Sequence, residues 1–461
     1  MKMDRRNFLK NTALAGAGLY LGSMVSPAKL WSGEIQAKKS LPAIIGGESI
    51  HTSGWPKWPM WKKEYDEKVL EVLRSGHWFR ARVTKEFEQK WAEMLGVKRA
   101  LAISNGTNSL ITALSQLGIT AGDEVIVPPY TFVATVQAVL NRGAIPVFAD
   151  IDRETLQIDP VQIERKITSR TKAILPVHIL GIPADMTRIM DIARRHNLFV
   201  IEDACQAHLA EFNNKKVGSI GHAGCFSFQN SKNLPIGEGG AVVSNDEVFM
   251  DRCFAYHNQG FPYGTQLGEW SGSFMIGTNV RLSEYQSIVG LVQLPYMQDQ
   301  ANQRWENGRY LTEQIKGIPG ITPIKFYPGV TKAVFHLYPY RYDKEEFEGM
   351  SRDLFLKAMN AEGITSASGY TPLHKQPFLK AAFESPLYQK VYPAEELDYN
   401  RYMEMNQCPQ NDIICNEEAV WMTQNMLLAD RSAMDDIAES IEKIRKHAGK
   451  IIRSAEKGEI K

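Results

Sequence analysis

The sequence predicts an α/β protein, with a large domain built on a mostly parallel sheet flanked by helices and a smaller C-terminal α/β domain. Two observations lead there. From about residue 99, short apolar runs rich in β-branched residues alternate with amphipathic segments, the pattern of strands buried on both faces and joined by crossover helices. After about residue 300 the alternation gives way to a long polar helix and a new strand–helix run. A chain of 461 residues, 44% of them hydrophobic, is long enough to bury two such cores.

The first element is a leader. Residues 1–28 start with a basic stretch, run uncharged from Asn11 to Ala28, and end on Ser26-Pro27-Ala28, a small-x-small cleavage pattern. Arg5-Arg6-Asn7-Phe8-Leu9-Lys10 resembles the twin-arginine export motif. Periplasmic export of a folded protein is expected, or a cytoplasmic location if the signal is not used. The apolar part is interrupted by glycines and too mild to span a membrane, so no stable membrane anchor is expected. Cleavage after Ala28 takes the net charge from +1 to −2. With 53 Lys and Arg against 52 Asp and Glu, the chain has no basic excess to offer nucleic acid. Cys205, Cys225, Cys253, Cys408 and Cys415 are odd in number and lack CxxC spacing, so neither a disulfide framework nor a metal site is expected.

Residues 45–300 read as the large domain. "ALAIS" (100–104) leads into "NSLITALSQLG", and "EVIVPP" into "FVATVQAVLNRG". Further strands are read in "IPVFADI", "AILPVHIL" (173–180), "LFVIEDA" (198–204), "CFSF" (225–228) and "GAVVS". Residues 301–461 read as the small domain, entered through the helix of "QDQANQRWENGRYLTEQI" and closed by a helix from Met434 to His447.

Ligands of such sheets bind beyond the carboxyl ends of the strands. Taken singly, the polar residues there have bland readings. Lys232 could be a solvated surface lysine, Asp203 a helix cap and Phe132 a core ring. Gly106-Thr107 follows a strand and opens a helix, where backbone N–H groups and the helix dipole hold an anion. Together they match pyridoxal 5'-phosphate. That cofactor needs an amine for its Schiff base, a carboxylate for its ring nitrogen, a phosphate cradle and a flat face for its ring. Lys232, Asp203, Gly106-Thr107 with Ser227, and Phe132 supply these four.

Several long stretches, among them "SNGTNSL", "GDEVIVPPYTFVATVQAVLNRGAIPVFADID", "VIEDACQAHLAEF", "FSFQNSKNLPIGEGGAVV" and "GTNVRLSEYQSIVGLVQL", resemble the DegT/DnrJ/StrS-type aminotransferases. That family belongs to the aspartate-aminotransferase, fold-type I superfamily and aminates keto sugars and cyclitols. The resemblance implies that Lys232 carries the cofactor, that Asp203 partners its ring nitrogen and that Gln206 touches it. It implies Thr107, Ser227 and the backbone of Asn108 at the phosphate, and Phe132 stacked on the ring. Asn279 falls where the family reaches the neighbouring subunit's phosphate, which implies a homodimer with shared active sites. His208 has a family match too, with packing as its plain alternative.

Two departures stand out. Leu209 replaces the family's glycine after that histidine, and Ala81-Arg82 stands where a glycine usually precedes the "V..FE" pattern. Both are expected on substrate-pocket walls. The favoured activity is transamination between an amino acid, glutamate or glutamine, and a keto sugar or keto-cyclitol. "SGWPKWPMW" and "SASGYTPLHKQPF" are most similar to the branch holding inosose aminotransferases and aminohydroxybenzoate synthase. The alternatives are a dehydratase or aromatising enzyme using the same cofactor, and a non-catalytic cofactor-binding sensor.

Overall fold

A computed structural model describes residues 40–262 and 273–460. The export signal read at residues 1–28 lies outside the described residues.

The chain lays down β1 (Arg99–Ile103), β2 (Glu124–Val127), β3 (Ile145–Phe148), β4 (Thr171–Ile174) and β5 (Phe199–Asp203). A short hairpin, β6 (Glu211–Phe212) and β7 (Lys215–Lys216), precedes β8 (Ala223–Ser227) and β9 (Gly240–Ser244). Seven of these form one sheet in the order β1-β9-β8-β5-β4-β2-β3. Only β9 runs against its neighbours, so the sheet is mostly parallel as predicted. Alternate strand residues face opposite layers, the two-residue period of a pleated strand. Leu101, Ile103, Val125 and Val127 enter one hydrophobic cluster, while Ala102, Ile126, Ile174 and Val200 enter the other.

The strand read in 173–180 is shorter than expected. It ends at Ile174, and residues Ile179–Gly181 form a single tight helical turn. Pro176 has no N–H to give a ladder, so an apolar run alone did not extend the strand. The bend brings Val177 and His178 beside Asp203.

The helix Leu294–Ile315 carries the chain across residue 300. Beyond it lie β10 (Ile321–Pro323), β11 (Val330–Lys332), β12 (Leu337–Tyr342), β13 (Ser366–Ser368) and β14 (Ala419–Thr423). A second, antiparallel sheet has the order β10-β12-β14-β13. β11 instead joins the β6–β7 hairpin. The helix read as closing the chain spans Arg431–Lys446, but a further helix, Ala448–Glu456, follows it. Tyr338, Tyr340 and Ile441 share a hydrophobic cluster with Leu101 and Val127, so one core is continuous between the two sheets.

Candidate active site

Beyond the carboxyl ends of β5 and β8 lies a cavity of about 540 Å³, within the usual range for a cofactor site. Gly106, Thr107, Phe132, Asp203, Ser227 and Lys232 all line it, as does Gln206.

β5 ends on Asp203 because its preceding residues are buried and the chain must turn there. The carboxylate is 4% exposed. Its Oδ2 accepts from Thr135 Oγ1 at 2.8 Å and its Oδ1 from the Cys205 N–H at 3.2 Å. Among the described residues no cation pairs with it, which is costly for a buried carboxylate unless a ligand brings one. Three residues on, Gln206 is fully engaged: its Oε1 accepts from the Leu180 N–H at 2.9 Å and its Nε2 donates to Tyr370 Oη at 2.7 Å.

Lys232 sits in the turn after β8, where its N–H donates to the Gln229 carbonyl at 2.8 Å. Its own carbonyl accepts from Trp58 Nε1 at 3.1 Å. The side chain is half-buried, and among the described residues its amine has no hydrogen-bond or ion-pair partner. Desolvation pulls the amine below an ordinary lysine's value, partly opposed by Cys205 and Asp203. A fraction of the amine is therefore neutral at lower pH than in a free lysine.

The cradle is tight. The helix Gly106–Gln116 is capped by Asn105, whose Oδ1 accepts from the Asn108 N–H at 2.8 Å. A Cβ added at Gly106 would stand 2.7 Å from Ser227 Cβ and 2.9 Å from Cys205 Sγ, so only glycine fits. The first-turn N–H groups of Gly106 and Thr107 have no acceptor inside the helix. The Asn108 N–H, by contrast, is committed to the cap.

Phe132 is 55% exposed with its ring on the cavity. Asn279 does not line this cavity; it is exposed and bridges to Asn258. His208 does not line it either. Its Nε2 donates to the Ser227 carbonyl at 2.8 Å, and Trp91, Phe226 and Phe228 surround the ring. Burial pushes it down to about 3, so it is a neutral packing histidine.

Neither departure lines this cavity; Ala81 and Arg82 line a separate one of about 920 Å³. Leu209 is buried in the core with φ 68°, a left-handed conformation that explains why glycine is the easier residue there. Ala81 and Arg82 begin the helix Arg82–Leu95, where Glu284 Oε1 accepts from the Ala81 N–H at 2.8 Å.

Sequence reasoning missed Thr135, Tyr370 and His336. Thr135 lies three residues after Phe132, in register to reach Asp203, and that spacing was a usable signal. His336 and Tyr370 line the cavity from the second sheet's side of the molecule.

Such a cavity fits pyridoxal phosphate, whose aldehyde needs an amine, whose ring nitrogen needs an anion and whose phosphate needs N–H donors. Fold and cavity together define a pyridoxal-phosphate-dependent transferase. Residues 59–410 match the model of the DegT/DnrJ/EryC1/StrS aminotransferase family, and the chain belongs to that family. It is 34% identical over 416 residues to a putative L-glutamine:3-amino-2,3-dideoxy-scyllo-inosose aminotransferase of Streptoalloteichus tenebrarius, covering 88% of this chain and 98% of that protein. It is also 34% identical over 420 residues to L-glutamine:2-deoxy-scyllo-inosose aminotransferase of Streptomyces kanamyceticus, covering 88% and 97%. The crystal structure of 3-amino-5-hydroxybenzoic acid synthase superimposes with a TM-score of 0.73 at 27% identity, covering 87% of this chain and all of that one.

Proposed function

We propose that this aminotransferase moves the amino group of an amino acid, L-glutamine foremost, onto a keto-cyclitol. The carrying observation is the pair of near full-length relatives whose names specify L-glutamine and an inosose. The test is a half-reaction screen. Purified holoenzyme is mixed with L-glutamine or other amino acids, and the loss of cofactor absorbance is followed. Keto-cyclitols and keto sugars are then added to restore it. Restoration by keto sugars alone would overturn the cyclitol reading.

Pyridoxal phosphate, when bound, supplies an aldehyde and an electron-withdrawing ring. The Lys232 amine is the group to hold it, and the same amine, once released, moves a proton at the substrate's amino-bearing carbon. Asp203 would hold a proton on the ring nitrogen, since among the described residues no cation pairs with its carboxylate. Gly106, Thr107 and Ser227 would cradle the phosphate, with the cap at Asn108 fixing the helix end beside them. Phe132 would cover the ring, and Gln206 fixes the cavity side toward Tyr370.

The reading extends to a homodimer. Asn279 is exposed and off its own cavity, which suits a residue serving a neighbouring subunit. Asn279→Ala should then weaken cofactor retention, and a monomer active at every dilution would refute the sharing. It extends also to the periplasm through Arg5 and Arg6. An Arg5→Lys, Arg6→Lys variant should stay uncleaved in the cytoplasm upon fractionation. Wild-type protein found uncleaved there would refute export and leave the chemistry untouched.

A further inference from the structure

Next to the cofactor cavity is a second one of about 520 Å³, and Ser231 and His336 belong to the walls of both. Its other walls are the Trp55–Trp58 segment, Asn230 and the end of β14 through Asn425. Among the described residues no Asp or Glu lines it, while Lys57 stands exposed at its rim.

Behind this wall Arg304 is 1% exposed. Its guanidinium lies 5.0 Å over the Trp58 ring. Among the described residues it has no carboxylate partner. Its acceptor is a neutral amide: Gln424 Oε1 takes a hydrogen bond from Arg304 Nε at 2.8 Å and another from a terminal guanidinium nitrogen. Arginine is rarely buried without an anion, because desolvating the charge costs several kcal/mol. Burial pulls it down to about 9, so it remains charged at neutral pH.

The pairing also orients Gln424. With Oε1 held by the guanidinium, the amide's free end is Nε2, a donor, and among the described residues it has no partner. Gln424 is 3% exposed and lines the cavity. His336 is 7% exposed at the junction of the two cavities, its Nδ1 without a partner among the described residues. The Gln424 amide donor, a rim ammonium and a buried positive charge converge on one space with no acid among the described residues on its walls. That is the chemistry of a carboxylate site.

We propose that this second cavity holds the α-carboxylate of the amino-acid donor, with Gln424 Nε2 touching it and Arg304 as the positioning residue behind. The inference rests on the amino-acid donor reading above. It accounts for the join at Ser231 and His336, since the donor's amine must reach Lys232 while its carboxylate stays close by.

The test compares L-glutamine with L-glutaminol, which has an alcohol in place of the carboxylate, in the donor half-reaction of the holoenzyme. Wild type should prefer L-glutamine in half-saturation by about 10- to 100-fold, the range of hydrogen bonds to a charged group. Gln424→Glu gives Arg304 a buried counter-charge, so it should fold, and it sets a negative charge against the donor. It should raise the L-glutamine half-saturation at least ~10-fold while leaving L-glutaminol within about twofold. Arg304→Met should likewise erase the preference. Equal penalties on both amines in these variants would mean a structural role and overturn the proposal, as would an unchanged preference. A wild type unreactive toward L-glutamine and every other amino acid would instead overturn the aminotransferase reading itself, before any variant is made.

Discussion

On the floor of the cofactor cavity, at the tips of β5 and β8, buried polar groups are paired within the chain. Asp203 has Thr135 and the Cys205 N–H, and Gln206 has Leu180 and Tyr370. On the wall, built by the segment Trp55–Trp58, the residue before β12 and the end of β14, partners run short. Among the described residues His336 Nδ1 has none, and the charge of Arg304 meets an amide and the Trp58 ring but no carboxylate. A floor whose groups are already satisfied can hold one ligand of fixed shape without reorganising. A wall with spare donors suits ligands that arrive and leave. Asp203 and Lys232 are the floor's two exceptions. Among the described residues one lacks a cation and the other a partner, and the same cofactor would meet both needs.

The most severe break in the floor is Lys232→Ala. Turnover should vanish, and borohydride should no longer fix cofactor to the polypeptide by mass spectrometry. Cofactor still fixed, at another residue, would show the anchor to be elsewhere. Asp203→Asn should follow, with kcat reduced on the order of 10²–10³-fold, the cost of losing a preorganised electrostatic contact. Cofactor binding should survive, so near-wild-type turnover would remove Asp203 from its role. Gly106→Ala comes next. Its Cβ would press on Ser227 Cβ at 2.7 Å, so the cradle must open, and dialysis should strip the cofactor faster than from wild type. Equal retention would mean the phosphate is held elsewhere.

The smallest effect separates desolvation from charge. Burial favours the neutral form of the Lys232 amine, while Asp203 holds its proton on. In cofactor-free protein, acetylation of Lys232 should therefore reach its half-point at lower pH than that of surface lysines. Asp203→Asn removes the opposing charge and should shift that half-point lower still. Peptide mass spectrometry across a pH series reads both. An upward shift in the variant would reverse the assigned sign.

The same contrast decides what was legible in the sequence. Floor residues stand on strand tips in short contiguous stretches, 203–206 and 227–232, where an apolar run ending on a polar residue is itself a signal. Wall residues reach the cavity from far along the chain. His336 looks like any residue before an apolar strand, and Gln424 like any residue after one. Nothing local says that Arg304, in the polar-looking helix Leu294–Ile315, is buried. Tyr370 was inside a motif-bearing stretch, yet only the contact with Gln206 gives it a purpose. The seven-stranded sheet was readable because its strands are buried on both faces. The bend at Pro176 was not, because the apolar pattern continues straight through it. Leu209 shows the limit from the other side, as the sequence departure is plain while its cause is a backbone angle.

β1 is an edge strand beside β9, with Ile103 set against Gly240 and bridged on its other side to Arg281. On a ribosome adding roughly 5–20 residues per second, β1 waits on the order of ten seconds for β9. Until then an apolar strand edge is uncovered, the kind of surface that pairs with other chains. The phosphate cradle has to wait as well, because Gly106 closes against Ser227 on β8. Cofactor capture is therefore a late event in the birth of the molecule and cannot template its early folding.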